Sequence, residues 1–392
     1  MSEFIGRMAG RLSVLSAMLV SAGVWADDAD VFNLYADAGY TYDSNLFRVD
    51  DGAALPWGKK SDNVLTADVG VSIDKPFSQQ RFRLDASVGR NRYSNHSFLD
   101  YDSFQYSGRL DWHVSPRISG VASSDRTEAL VGFDAKNDFN RTVRTRTNNR
   151  FEADFHVVSR WHALAGYLQE KQSDSYNDVS QDRDFDLKGW SAGLRYDPGS
   201  GRKLEFRYIS RNGRYRSTVG NFDQTEYEAR LVYPVDDKTR IEAVAAYVDR
   251  NHDDDPQRDY DGWRARATLT WAATGKLGVR AEYERQLRSW QDVYSSYYTA
   301  DNLSVGPYWS ITAKQTLAAS LVYGRDQYGG APSSWAGPSR DDKRNALVLT
   351  WSWEPTRTTG VTATARRQNR DSNYPGFDYT DTMVGVGVHV AF

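Results

Sequence analysis

The reading of this chain turns on its last segment, Thr382-Met383-Val384-Gly385-Val386-Gly387-Val388-His389-Val390-Ala391-Phe392. Apolar residues recur at every second position. Val384, Val386, Val388, Val390 and Phe392 therefore project from one face of a strand, and Gly385, Gly387 and His389 from the other. The same period runs back through the chain. Leu65, Ala67, Val69, Val71 and Ile73 alternate with Thr66, Asp68, Gly70 and Ser72, and Phe82, Leu84, Ala86 and Val88 alternate with Arg83, Asp85 and Ser87. It reappears at Phe151-Ala153-Phe155-Val157, Leu204-Phe206-Tyr208, Trp263-Ala265-Ala267-Leu269-Trp271 and Leu347-Leu349-Trp351-Trp353. No segment keeps a helical period over a dozen residues.

The connections alternate in length. Short turns such as Lys75–Ser78, Ser115-Pro116, Ser159-Arg160, Asp197–Gly201 and Glu354–Arg357 are separated by long polar stretches. The long ones include Ser44–Asp62, Thr127–Thr145, Ser173–Arg183, Asn251–Arg258 and Gly324–Asp342. Trp112, Trp161, Tyr196, Tyr233, Trp271, Trp309 and Trp353 flank the short turns. Tyr40, Tyr93, Tyr167, Tyr208, Tyr247, Tyr283 and Tyr323 lie toward the long ones. Two aromatic belts and asymmetric loops are the pattern of a transmembrane antiparallel up-and-down β-barrel of the bacterial outer membrane. Eight short turns and nine long loops imply roughly 18 strands, with ~16 as the alternative count and both termini in the periplasm. A soluble sandwich or propeller also alternates, but explains neither belts nor export signal.

Residues 1–26 read as that signal. Arg7 and Arg11 precede the apolar stretch Leu12 to Trp25, and Val24-Trp25-Ala26 forms a cleavage site before Asp27. The expectation is a cleaved leader over 1–26 and a single barrel domain over 27–392. A terminal Phe on an amphipathic strand also resembles the signal read by the barrel-assembly machinery, which is expected as a partner beside outer-membrane lipid. The chain has no Cys, 24 Tyr, 12 Trp and 16 Phe, and a net charge of −3. These exclude a disulfide framework and give no electrostatic case for nucleic acid.

The other strand face carries charge of both signs. A charge facing lipid at midplane costs ~2–4 kcal/mol, so this face belongs to the lumen. Candidate lumen-lining residues are Arg83, Asp85, Arg109, Asp111, Glu152, Asp154, Arg195 and Glu205, followed by Arg207, Glu228, Arg230, Arg264, Arg266, Arg280, Glu282 and Arg366. They form either ion-pair ladders or a path for a polar solute, and a barrel this wide leaves an aqueous channel unless loops plug it. Tyr294-Ser-Ser-Tyr297-Tyr298 reads as part of a girdle or as a stacking surface for sugar rings. The six histidines lack metal-ligand spacing, and no nucleophile elbow or phosphate-binding loop is present. Asp253-Asp254-Asp255 with Asp259 and Asp261 lacks the alternation of a calcium loop and reads as solvated. The expectation is no catalytic residue, no metal and no cofactor.

The opening strand, Leu34-Tyr-Ala-Asp-Ala-Gly-Tyr40-Thr-Tyr42, runs into Asp43-Ser44-Asn45-Leu46-Phe47-Arg48. This segment resembles the EpsL-like outer-membrane proteins of exopolysaccharide operons, a branch of the β-barrel porins. The resemblance implies export of an exopolysaccharide, with periplasmic and inner-membrane export components as partners. The alternatives are a general or substrate-specific porin for uptake of small polar solutes, or a barrel enzyme acting on lipid or polysaccharide. The segment also reads physically: Asp43, Ser44 and Asn45 end a strand, and Leu46-Phe47 pack back against the rim.

Overall fold

A computed structural model describes residues 31–135, 139–176, 184–216, 221–253, 256–289, 295–331 and 337–392. The leader expected over 1–26 lies outside them, as do Tyr294, Asp254 and Asp255. The first nine strands are β1 (Phe32–Asp43), β2 (Asp62–Phe77), β3 (Gln80–Tyr93), β4 (Tyr101–Ser115), β5 (Ile118–Leu130), β6 (Val143–Val158), β7 (Trp161–Asp174), β8 (Phe185–Gly199) and β9 (Arg202–Tyr215). The rest are β10 (Asn221–Pro234), β11 (Thr239–His252), β12 (Tyr260–Trp271), β13 (Leu277–Ser289), β14 (Tyr297–Thr312), β15 (Gln315–Gly329), β16 (Asp341–Trp353), β17 (Thr359–Ser372) and β18 (Tyr379–Ala391).

Each strand pairs antiparallel with its neighbour, and β1 pairs with β18 from Tyr35↔Ala391 to Asp43↔Met383, so the sheet of 18 strands closes on itself. Closure leaves no sheet edge for lipid to meet, which is the condition for a spanning sheet. At the tight turns, Ser78, Ser159 and Ser200 take φ of 56°, 54° and 56°, the left-handed step that reverses a chain in few residues. Two long loops are shorter than the polar sequence suggests. β5 continues to Leu130 and β6 begins at Val143, while β15 continues to Gly329. Lumen-facing charges such as Arg144, Arg146 and Asp326 read as loop residues because their strand face is wet.

The register holds parity around the barrel. Leu204, Phe206 and Tyr227 are exposed by 37%, 56% and 62%, whereas Glu205 and Glu228 on the alternate face are 8% exposed. Trp161, Trp271 and Trp309 ring the short-turn end, and Tyr40, Tyr167, Trp190 and Trp263 the long-loop end, all on the apolar outer face. Tyr93 is a correction. It is 5% exposed and faces inward, because it shares parity with Arg83 and Asp85 and packs under loop residues. Two ladders stop early at the long-loop end: β4–β5 pairing ends at Tyr106↔Arg126, and β12–β13 pairing ends at Ala265↔Arg285.

Candidate functional site: the lumen and its plugged mouth

All the candidate lumen residues fall on the inner face, and the register brings them into ladders. Asp111 joins Arg83 and, at 2.7 Å, Arg109. Asp154 meets Arg195 at 2.5 Å, and Arg207 bridges Glu152 at 3.2 Å and Glu205 at 3.3 Å. Glu228 holds Arg264 at 2.6 Å and Arg230 at 3.8 Å. Glu282 holds Arg266 at 2.9 Å and Arg280 at 3.2 Å, and Arg366 meets Asp381 at 2.6 Å. Asp85 accepts from the Tyr35 hydroxyl at 2.8 Å. Between β4 and β9 this wall holds a cavity of about 310 Å³ lined by Asp111, His113, Glu152, Asp154, Arg195 and Arg207.

Other lumen residues escape a sequence reading although they obey the same parity. Glu226 is fully buried and takes Arg211 and Arg264, each at 2.5 Å. Arg344 meets Asp326 at 2.8 Å, and Arg146 on β6 stands near enough to Arg288 on β13 for the two charges to repel across the lumen. Tyr298 is a lumen residue stacked on Tyr328 at 5.0 Å, whereas Tyr297 points outward by parity. Among the described residues no group of three or more His, Asp or Glu could hold a metal ion.

The long-loop mouth is filled on one side. Leu46, Phe47 and Leu55 of the β1–β2 loop pack with Leu99 of the β3–β4 loop, Phe133 of the β5–β6 loop, the inward Val64 and Tyr93, and the buried Leu130 at the end of β5. Leu46 and Leu99 are fully buried, and the Phe47 ring lies 4.6 Å from Phe133 and 4.8 Å from His96. His96 is held in turn by Asp62 at 2.7 Å. This apolar core is a plug. Its β5–β6 loop reaches across to β17, where Arg370 donates to the Asp134 carbonyl at 3.3 Å.

The opening segment that suggested a family is the plug's anchor. Arg48 donates to the two Asp43 oxygens at 2.8 and 2.7 Å and to Asp381 of β18 at 3.1 Å. All three side chains are at most 1% exposed. Burial works against the Arg48 charge, but the adjoining Asp43 carboxylate, with Asp381, outweighs it and holds the guanidinium above the ordinary arginine value. Ser44 N donates to the Thr382 carbonyl at 2.9 Å, and Thr382 N donates to Ser44 Oγ at 2.8 Å. The segment therefore fastens the first loop to the β1–β18 seam.

Three comparisons bear on this geometry. No curated protein matches the chain. Among solved structures, OccAB3 of Acinetobacter baumannii is similar with a TM-score of 0.53 and 9% identity, over 92% of this chain and 99% of that one. OpdK of Pseudomonas aeruginosa, an outer membrane protein, gives 0.53 and 13%, over 93% and 99%. OccK2 (OpdF) of Pseudomonas aeruginosa, solved in complex with glucuronate, gives 0.52 and 12%, over 92% and 98%. The family model described as "Putative beta-barrel porin 2" matches residues 34–392. The family match overturns the expectation of exopolysaccharide export, because the matched family is one of porins. The physical reason is in the anchor, since the residues that suggested an exporter are buried latch residues beneath a plugged mouth. A closed barrel of 18 strands with a polar lumen, matched over nearly its whole length, lies in the bacterial outer membrane and belongs to the beta-barrel porin 2 family.

Proposed function

We propose that the protein is a passive porin for uptake of small polar solutes, and a conduit rather than a catalyst. The observation that carries this reading is the lumen face, charged and hydroxylated from one mouth to the other, with an apolar plug that narrows one mouth without lining the rest. The plug spans the sector from β17 round to β6, so the route runs along β7–β16 past Arg211, Arg288 and Arg344. Guanidinium forks there suit hydroxyl and carboxylate groups on a compact solute. The likeness to a protein solved with glucuronate supports a sugar acid as a first probe. In the proposed orientation both termini are periplasmic and the long loops are external.

Purified protein in planar bilayers should conduct ions, and proteoliposomes should swell in glucose and in glucuronate at rates that fall with solute size. Conductance no greater than that of a protein-free bilayer would overturn the reading. So would turnover of lipid or polysaccharide that disappears on replacing one Ser or His. A single Cys at Gly52, in the β1–β2 loop, should react with an impermeant maleimide on intact cells. Reaction only after permeabilisation would reverse the orientation.

A further inference from the structure

On the outer surface, charge gathers at the rim above β3–β5. The β4–β5 ladder stops at Tyr106↔Arg126, and beyond it the two strands run on without pairing to each other, β4 from Tyr101 held by β3 and β5 to Leu130 held by β6. The cleft between them opens toward the membrane, because parity places Arg90, Arg92, Phe104 and Arg126 on the same face as Val88 and Tyr106. Its floor is aromatic: Phe104 is 42% exposed, with its ring 5.8 Å from that of Tyr106. The Arg126 guanidinium lies over Phe104, 6.0 Å from the ring centroid. Its Nε–H is buried and has no hydrogen-bond partner among the described residues. Arg90 and Arg92, with side chains 64% and 39% exposed, converge on Asp102 at 3.1 and 3.5 Å. Exposed Arg141 is near enough to attract the same carboxylate. Arg92 also reaches Asp100 at 3.6 Å, so two carboxylates face three arginines and donor capacity is left over; Asp100 is also engaged with the Tyr93 N–H, and Glu128, the partner of Arg126, with the Phe104 N–H, each at 2.8 Å.

We propose that this cleft binds the phosphorylated headgroup of an outer-leaflet glycolipid. Arginine forks match phosphate oxygens. The Phe104 face suits a sugar ring. Val88 and Val69, exposed by 54% and 58% on the outer face of β3 and β2, offer acyl chains an apolar wall. A free anion would use the arginines but gain nothing from the aromatic floor or that wall. The choice of leaflet rests on the orientation proposed above, whereas the arginine chemistry does not.

The test is native mass spectrometry of the detergent-solubilised barrel with four probes: a bis-phosphorylated glucosamine disaccharide lipid, its dephosphorylated form, phosphatidylglycerol and inorganic phosphate. The phosphorylated glycolipid should bind best. The double variant Arg90→Gln/Arg126→Gln should weaken it by about tenfold or more. Lys343→Gln, outward on β16, should leave it unchanged, and heat-modifiable migration confirms that each variant is folded. Equal binding by the double variant or by the dephosphorylated lipid would overturn the proposal. Displacement by equimolar inorganic phosphate would reduce the cleft to a free-anion site. Preference for phosphatidylglycerol would also overturn it, and the Gly52 labelling then separates a reversed orientation from a wrong choice of lipid.

Discussion

Arg48 stands at φ 55°, a left-handed backbone conformation that costs a non-glycine residue ~1–3 kcal/mol. The cost is borne because its guanidinium fork satisfies Asp43 and Asp381 where water does not reach them. Removing one partner of a buried pair leaves charge uncompensated, at ~3–5 kcal/mol. Arg48→Met is therefore expected to lower the temperature at which the heat-modifiable folded band is lost, and Arg48→Lys to restore only part of it, since an ammonium cannot span both carboxylates. An unchanged transition in Arg48→Met would refute the latch. Gly120 is a second constrained residue: an added Cβ would lie 2.0 Å from the Glu152 carbonyl oxygen and 2.4 Å from the Trp112 ring. Trp112 covers that glycine and stacks on Phe151 at 5.5 Å. Gly120→Ala should destabilise the barrel by ~1–3 kcal/mol through overpacking, read as a lowered midpoint in the same gel assay.

Along a strand, period two was legible wherever apolar and charged residues alternated, because lipid tolerates no exception at midplane. Leu84, Ala86, Leu204, Phe206, Leu347 and Leu349 share the outer face, and Arg83, Asp85, Glu205 and Arg207 the inner. Single cysteines at the inner positions should label with a water-soluble maleimide, and those at the outer positions should not; the reverse pattern would invert the faces. What the sequence hid lies at the strand ends. Its nearness to a long loop suggests a girdle place for Tyr93, yet counting by twos from Arg83 turns it inward. Proximity to a loop does not say whether a ring meets lipid or plug. The strand ends at Leu130 and Val143 were hidden for a related reason, since an inward face lined by Arg and Thr looks like a loop.

For the whole molecule, the closed barrel was readable from alternating connections, but the plug was not, since it depends on three loops meeting. Its signal was present as apolar residues where solvated loops should be polar: Leu46, Phe47, Leu55, Leu99 and Phe133. Leu99→Ala should loosen this core by ~2–5 kcal/mol while sparing the strand ladders. The expected readout is higher or noisier single-channel conductance with unchanged β-type circular dichroism. Conductance identical to that of the parent barrel would mean the plug does not limit flow. The plug's apolar core comes from the first six strands and their loops, yet its moorings, Asp381 and Arg370, sit on the last two. During biogenesis the mouth is therefore obstructed properly only when the two ends of the chain have met. A half-zipped intermediate would be a hole in the cell's antibiotic barrier, and the seam contacts convert completion of assembly into restoration of that barrier. Cells producing Asp381→Asn are accordingly expected to become sensitive to a large, normally excluded antibiotic at unchanged barrel abundance, measured by growth inhibition against the parent strain.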